Sequence, residues 1–446
     1  MPSPSAAAPF SWLLAKEWRE LMASRAWWVM LALTGPLVGL SFIGAVRSFS
    51  EMSGGAGGPA GLAEALTPLD GVFIPTFGAF DLIATFLLPF VAIRAVSGDI
   101  QSGAHKILLQ QPRVSTRTMV AAKGIVLFAG CLIASLAGVL ACALWTSYGG
   151  ATSLPELVNL SLGHALHAAL TIAIAVAAAA TTEHPATAAI VALGVTVGTW
   201  AYEFISLGRG GWWEALASYM PTAMLRGFEH GLFRISAVLV VSAITLGGLT
   251  IAAIWLRIGQ PARRRVVLSV MAGALTAAAA FGGAMIPGDL DVSENRRNSF
   301  TEREGAALEA ISAPLRINAR LAPEDPRRFD LEHGAFAKLR RTMKDVDIVY
   351  TSSTATGLFE PQGTGYGEIW YALGDKRVME RSTAEPIIVN TIIELSGAPA
   401  LADGEEDSFA GHPLVAQPVG AAWLFYIIWP VAALSAGFFN RKRRPI

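Results

Sequence analysis

The stretch IAAIWLRIGQPARRRVVLSVMAG, residues 251–273, decides how many times the chain crosses a bilayer. Apolar sequence enters it from Ile235 and leaves it towards Pro287, yet its centre, Arg257–Arg265, holds four arginines and Pro261. Charged side chains are costly in hydrocarbon, and proline removes a backbone donor from a helix interior, so the run reads as two spans joined by a polar turn. A membrane helix needs about 20 mostly apolar residues, and six further windows meet that requirement. The eight windows are residues 27–46, 77–95, 124–145, 162–180, 188–206, 235–256, 266–287 and 420–439. An even number sets both termini on one side.

Composition agrees with this reading. Of 446 residues 53% are hydrophobic and only 15% charged, whereas a soluble domain carries roughly 25% charge. A soluble globular enzyme is thereby disfavoured. The net charge of zero, from 34 basic and 34 acidic residues, hides a segregation along the chain. Residues 1–26, 94–123, 257–265 and 440–446 hold 3, 5, 4 and 4 Lys and Arg, while the alternate short loops hold only Arg47, Arg209, Arg226 and Arg234. Short cytoplasmic loops accumulate positive charge, so both termini are expected in the cytoplasm, with NRKRRPI as the flank of the last span.

Residues 288–419 are different material, with 14 basic and 22 acidic side chains. Candidate strands (315–321, 347–351, 369–373) alternate there with candidate helices (301–311, 331–343, 386–395). The fold class that follows is an α-helical polytopic membrane protein, a six-span core plus two extra spans, with an inserted small α/β extracytoplasmic domain. Its parts are an interfacial helix in residues 1–26, the six spans in 27–257, a link and seventh span in 258–287, the α/β domain and a linker in 288–419, and the eighth span with its basic tail in 420–446.

Several chemistries are missing. Cys131 and Cys142 lie in one apolar stretch, which supports neither a disulfide framework nor a thiolate metal site. No G-x-x-x-x-G-K-[ST] loop occurs and no G-x-G-x-x-G follows a strand, so any ATP that drives the protein is bound by another subunit. The α/β segment has many carboxylates but no Ser/His/Asp order, its acidic balance argues against nucleic acid, and Tyr366, Trp370 and Tyr371 read as core or as a ligand-facing aromatic group.

Two cytoplasmic segments carry the positive signal. In FSWLLAKEWRELMASRAWW, residues 10–28, an apolar stripe through Phe10, Leu13, Leu14, Glu17 or Trp18, and Leu21 opposes Lys16, Arg19 and Glu20, the pattern of a helix lying in the membrane interface. The second is AIRAVSGDIQSGAHKILLQQPRVSTRTMVAAK, residues 92–123, a long basic connection between spans two and three. Together they resemble the membrane subunit of the type-2 exporter class of ABC transporters. The resemblance rests on KEWREL before the first span, Gly98-Asp99, Ser102-Gly103, Leu108-Leu109 and Pro112, Lys123 at the opening of span three, and the Ser218–Thr222 region with Gly231 before span six. It covers roughly residues 10–257, and Asp99 stands where the family usually has Glu. The resemblance implies a transport subunit that carries no cofactor of its own, works with an ABC ATPase subunit holding ATP and magnesium, and pairs with a second permease subunit in the lipid. It further implies that Asp99, Gly103, Leu108, Leu109 and Pro112 couple to that ATPase, with Glu183 and His184 of the loop between spans four and five as a second contact.

Ionisable residues within spans are functional candidates by default. Asp81, His164, His167 and Glu203 are each placed within about two turns of the outer end of their windows, where they line an outward-facing translocation path, bind a polar head group, or are hydrated at the interface. His164 and His167 share a helix face, as do Met220 and Met224, but two imidazoles without a third ligand do not define a metal site. Finally, DLDVS (289–293), Arg297, SFT (299–301), Leu308, Ile311 and PLRI (314–317) resemble the start of the auxiliary subunits of gliding-motility ABC transporters. That resemblance implies a non-enzymatic extracytoplasmic surface for a periplasmic or cell-surface partner, in a domain shorter than is usual for those subunits.

Overall fold

The fold is that of a computed structural model that describes residues 8–54, 66–111, 113–206, 212–322, 325–351, 365–399, 409 and 411–442. Among the described residues eight helices are long and apolar enough to cross a membrane: Arg25–Gly54, Leu69–Gln101, Thr116–Ser147, Leu154–Thr181, Pro185–Ser206, Ile235–Trp255, Ala262–Ala284 and Ala421–Asn440. Each coincides with one window from the sequence, and the interfacial helix, Ala8–Ala23, precedes them. Most are longer than their windows because hydropathy marks only the apolar middle. Local signals set the true ends: Ser115 and Thr118 form a reciprocal cap at the start of span three, and Pro155 stands in the first turn of span four.

Span four is the centre of the bundle, packing against spans two, five and six, while span seven leans on span six. Span two is interrupted at Leu87, just before Pro89, where a proline removes one helix hydrogen bond. The eighth span returns to lie on span one at very short range. A Cβ added at Gly39 would stand 2.3 Å from Phe425 Cβ, and one at Gly35 would stand 2.4 Å from Trp429 Cδ1. Trp429 Nε1 then donates to the Leu31 carbonyl at 2.7 Å. Small residues that let backbones approach are the usual means of packing helices in lipid, where no hydrophobic force drives them together. Gly39→Val therefore overpacks this seam, at a cost of roughly 1–3 kcal/mol. The expected result is a lower thermal midpoint of the purified protein, whereas an unchanged midpoint refutes the packing.

The α/β domain holds a four-stranded sheet ordered β4-β3-β5-β6, from β3 (Leu315–Ala319), β4 (Val346–Tyr350), β5 (Ile369–Leu373) and β6 (Lys376–Glu380). β3 and β4 are parallel, and the other pairs antiparallel. β6 was not anticipated, because KRVME has no apolar alternation, and all but its last residue are exposed. The expected helix at 331–343 is two, Pro326–His333 and Ala335–Thr342, broken at Gly334. The domain grows out of the bundle through β1 (Leu232–Arg234), just before span six, which pairs antiparallel with β2 (Asp289–Asp291), just after span seven.

Candidate functional site

Two polar clusters lie in or against the bundle. The first is at the end that carries the chain termini. The apolar stripe of the interfacial helix runs through Leu13, Glu17 and Leu21, so Glu17 is turned inward and is 3% exposed. It meets Lys123, two turns inside span three, at 2.7 Å, and Lys123 also reaches Asp99 at 2.6 Å and donates to the Ala95 carbonyl at 3.0 Å. Lys16 closes the ring, 2.9 Å from Glu17, 2.8 Å from Glu20 and 3.1 Å from Asp99. Burial works against its ammonium, but hydrogen bonding to Glu20 and the Glu17 and Asp99 charges more than offset this and raise its pKa. Burial pushes the Glu20 carboxyl up. Two ammonium groups thus sit among three carboxylates whose oxygens lie within 4.8 Å of one another, where a cation would otherwise be expected.

This cluster fastens three elements together and sets the direction of the chain beyond span two. Gly103, at φ 73°, ends that span in the left-handed conformation that favours glycine, and a short helix, Ala104–Leu109, follows. His105 is buried and its Nδ1–H donates to the Asp99 carbonyl at 3.2 Å, fixing the short helix to the end of the span. Leu108 is buried, Leu109 is half-buried and Ile107 is 65% exposed. Glu183 and His184 are both exposed. Of the residues expected at a coupling surface, Glu183 and His184 are on the outside and Leu109 is partly so, whereas Asp99 and Leu108 are inside, one in the ion cluster and one in the core. Pro112 lies outside the described residues. Ile107, between the exposed Lys106 and the buried Leu108, is an apolar side chain of the short helix that faces out, with no local sequence signal to mark it.

The second cluster is within the membrane. Asp81 lies twelve residues from the start of span two, a depth of about 18 Å at 1.5 Å per residue. Contrary to expectation, Asp81, and likewise His164 and His167 at 10 and 13 residues from the start of span four, lie more than two turns from their helix ends because those helices are longer than the apolar windows, whereas Glu203 is three residues from the end of span five. His167 Nδ1–H donates to Asp81 at 2.6 Å. His164, one turn away, lies 3.6 Å from Asp81 on one side and 3.8 Å from Glu229 on the other, and among the described residues neither ring nitrogen has a hydrogen-bond partner. Burial pushes the Glu229 carboxyl up. Glu203 does not join this group. It accepts from Thr222 Oγ1 at 2.6 Å and pairs with Arg226.

Both halves meet one short helix, Pro221–Glu229, whose polar face carries Thr222, Arg226 and Glu229 at i, i+4 and i+7 while Met224, Leu225 and Phe228 face the core. That periodicity was present in the sequence and went unread. The cavity beside His167 is about 10 Å³, room for about one water, and of the four ionisable residues His167 is the one in its lining.

On the domain side, Arg297 Nη1 donates to Asp70 at 2.6 and 2.7 Å, and the Glu294 amide donates to Glu156 at 2.8 Å. Burial opposes the Asp291 charge, but hydrogen bonds from Ser293, Ser299 and Asn298 prevail and hold its carboxyl below the usual range. Residues 289–299 thereby form a tight collar over the ends of spans two and four.

Residues 11–209 match the family model described as ABC-2 family transporter protein. The match takes in the first cluster entire and five of the eight candidate membrane spans found among the described residues. No curated protein and no solved structure matches the chain.

Proposed function

We propose that the chain is the membrane subunit of an ATP-driven exporter of the ABC-2 type, dimeric in the bacterial inner membrane, with both termini cytoplasmic and the α/β domain extracytoplasmic. The observation that carries this reading is the family match over residues 11–209, which spans both predicted contact loops. A separate ATPase chain binds ATP and magnesium and seats against the short helix Ala104–Leu109 and the Glu183–His184 turn. In that arrangement Lys106, Ile107 and Leu109 make the contact, and Gly103, Asp99 and the buried Leu108 hold the helix at the angle the contact needs. Asp81, His164, His167 and Glu203 lie along the route that opens when the clusters separate. ATP-driven closure presses on the short helix and, through Asp99 and Lys123, on spans two and three together.

The test is co-purification from native membranes. An ATPase with Walker motifs accompanies the wild-type chain, and Ile107→Asp or Leu109→Asp, each placing a charge in a partly apolar contact, releases it or uncouples its hydrolysis by tenfold or more. Absence of any ATPase under conditions that preserve the complex defeats the reading.

A second reading is favoured by one helix. Span two carries Asp99 at one end and Asp70 at the other, so a single element joins the terminal-side cluster to the domain collar. ATPase motion relayed along it would reach the α/β domain without any transported substrate, in keeping with the resemblance of residues 289–317 to auxiliary subunits.

A further inference from the structure

Helices Glu302–Glu309, Ala335–Thr342 and Glu385–Ser396 cover one face of the four-stranded sheet, burying Leu308, Leu339 and Ile392 against Leu315, Ile317 and Tyr371. No described residue does the same for the other face. Alternation along the strands and their register bring Val349, Asn318, Trp370 and Met379 into one row across it, and Asp347, Arg316, Ala372 and Arg377 into the next. Trp370 and Met379 are each 38% exposed and Val349 is 45%. Beyond them Arg320 and Arg381 approach Glu368 at 3.6 and 3.4 Å, and Trp370 Nε1 donates to the same carboxylate at 3.2 Å.

The charge of this face is the reverse of its surroundings. It carries four arginines against Asp347 and Glu368, in a segment that has 22 acidic and 14 basic residues. Its composition is that of an interface centre: Trp, Met and Arg are enriched where proteins meet and Lys is depleted, and the face has no lysine. Tryptophan and arginine are also the residues that most often dominate binding energy. We infer that the open face of this sheet docks a protein partner through an acidic segment of that partner. The inference rests on the proposal that the domain is extracytoplasmic. Four strands about 4.8 Å apart and five residues at about 3.3 Å each give a face of roughly 300 Å². That is well under the ~800 Å² per partner of a stable complex, so the association is transient.

The experiment places a photo-crosslinking residue at position 318 or 377 of the full chain in its native membrane, with position 387, exposed on the helix side, as control. The expected result is a protein adduct from 318 and 377 and none from 387, with an acidic cross-linked peptide in the partner. Arg316→Glu with Arg381→Glu reduces the adduct at least tenfold. Adducts only to phospholipid or to glycan overturn the inference, as do no adduct at all or an adduct indifferent to charge reversal. Co-purification of the ATPase is read from the same membranes. Its absence counts against the exporter and leaves the crosslink to stand or fall alone.

Discussion

Lys123→Met lowers the thermal midpoint of the purified chain by on the order of 10 °C. Removing one partner of a buried ion pair costs about 3–5 kcal/mol, because the opposite charge is left in a medium that cannot solvate it, and here two carboxylates lose the same ammonium. For a chain segment of 150–250 residues each kcal/mol moves the midpoint by about 2–4 °C. Glu17 and Asp99 are 3% and 9% exposed at their side chains, and Lys123 is 1% exposed, so water does not replace it. Lys16 remains within 3.1 Å of both acids, which limits the loss. Adding Glu17→Gln and Asp99→Asn recovers most of the midpoint, since the neutral amides no longer need a counter-charge. A fall of less than 2 °C in the single variant means that the cluster is solvated, and its role as a fastener is withdrawn.

Sequence alone displayed the partners of this cluster but not the cluster. Glu17 interrupts an apolar stripe, and its ambiguity with Trp18 was the visible sign of a carboxylate that has to be buried against a cation. Lys123, 106 residues away, is that cation, and no local pattern links positions at that separation. The eight spans were legible because about 20 apolar residues have few alternative fates, whereas their true lengths were not, since polar capped turns carry no hydropathy signal. The same limit misplaced Asp81, whose depth depends on where span two begins. β6 escaped for the opposite reason: all but its last residue are exposed, on both faces of the strand, so nothing imposes the buried–exposed alternation by which strands are recognised. The glycines of the seam between spans one and eight were countable in the sequence. Only Trp429 and Phe425, nearly 400 residues on, show what those glycines make room for.

Asp81→Ala weakens both the stability of the intramembrane cluster and the activity that depends on it. A hydrogen bond to a charged group contributes about 1.5–3 kcal/mol, and without Asp81 the carboxylate left near the imidazoles among the described residues is Glu229, 3.8 Å from His164. The expected midpoint falls by about 5 °C at two or so degrees per kcal/mol, and substrate-stimulated hydrolysis by the co-purified ATPase falls at least tenfold. Loss of activity alone does not distinguish a path from a scaffold, because a loosened bundle also fails to transport. The decisive variant combines Asp81→Leu, His164→Phe and His167→Leu with Glu229→Met, because Glu229 would otherwise lose its neighbouring imidazole. Replacing buried polar groups together by apolar ones of similar volume is commonly neutral or stabilising, since every group that needed a partner is gone. If this chain is as stable as the wild type, binds its ATPase and no longer transports, the carboxylates and imidazoles act on the substrate or on the opening of its route. If it transports normally, they are structural, and the polar face of Pro221–Glu229 with its Glu203–Arg226 pair becomes the remaining candidate for the path.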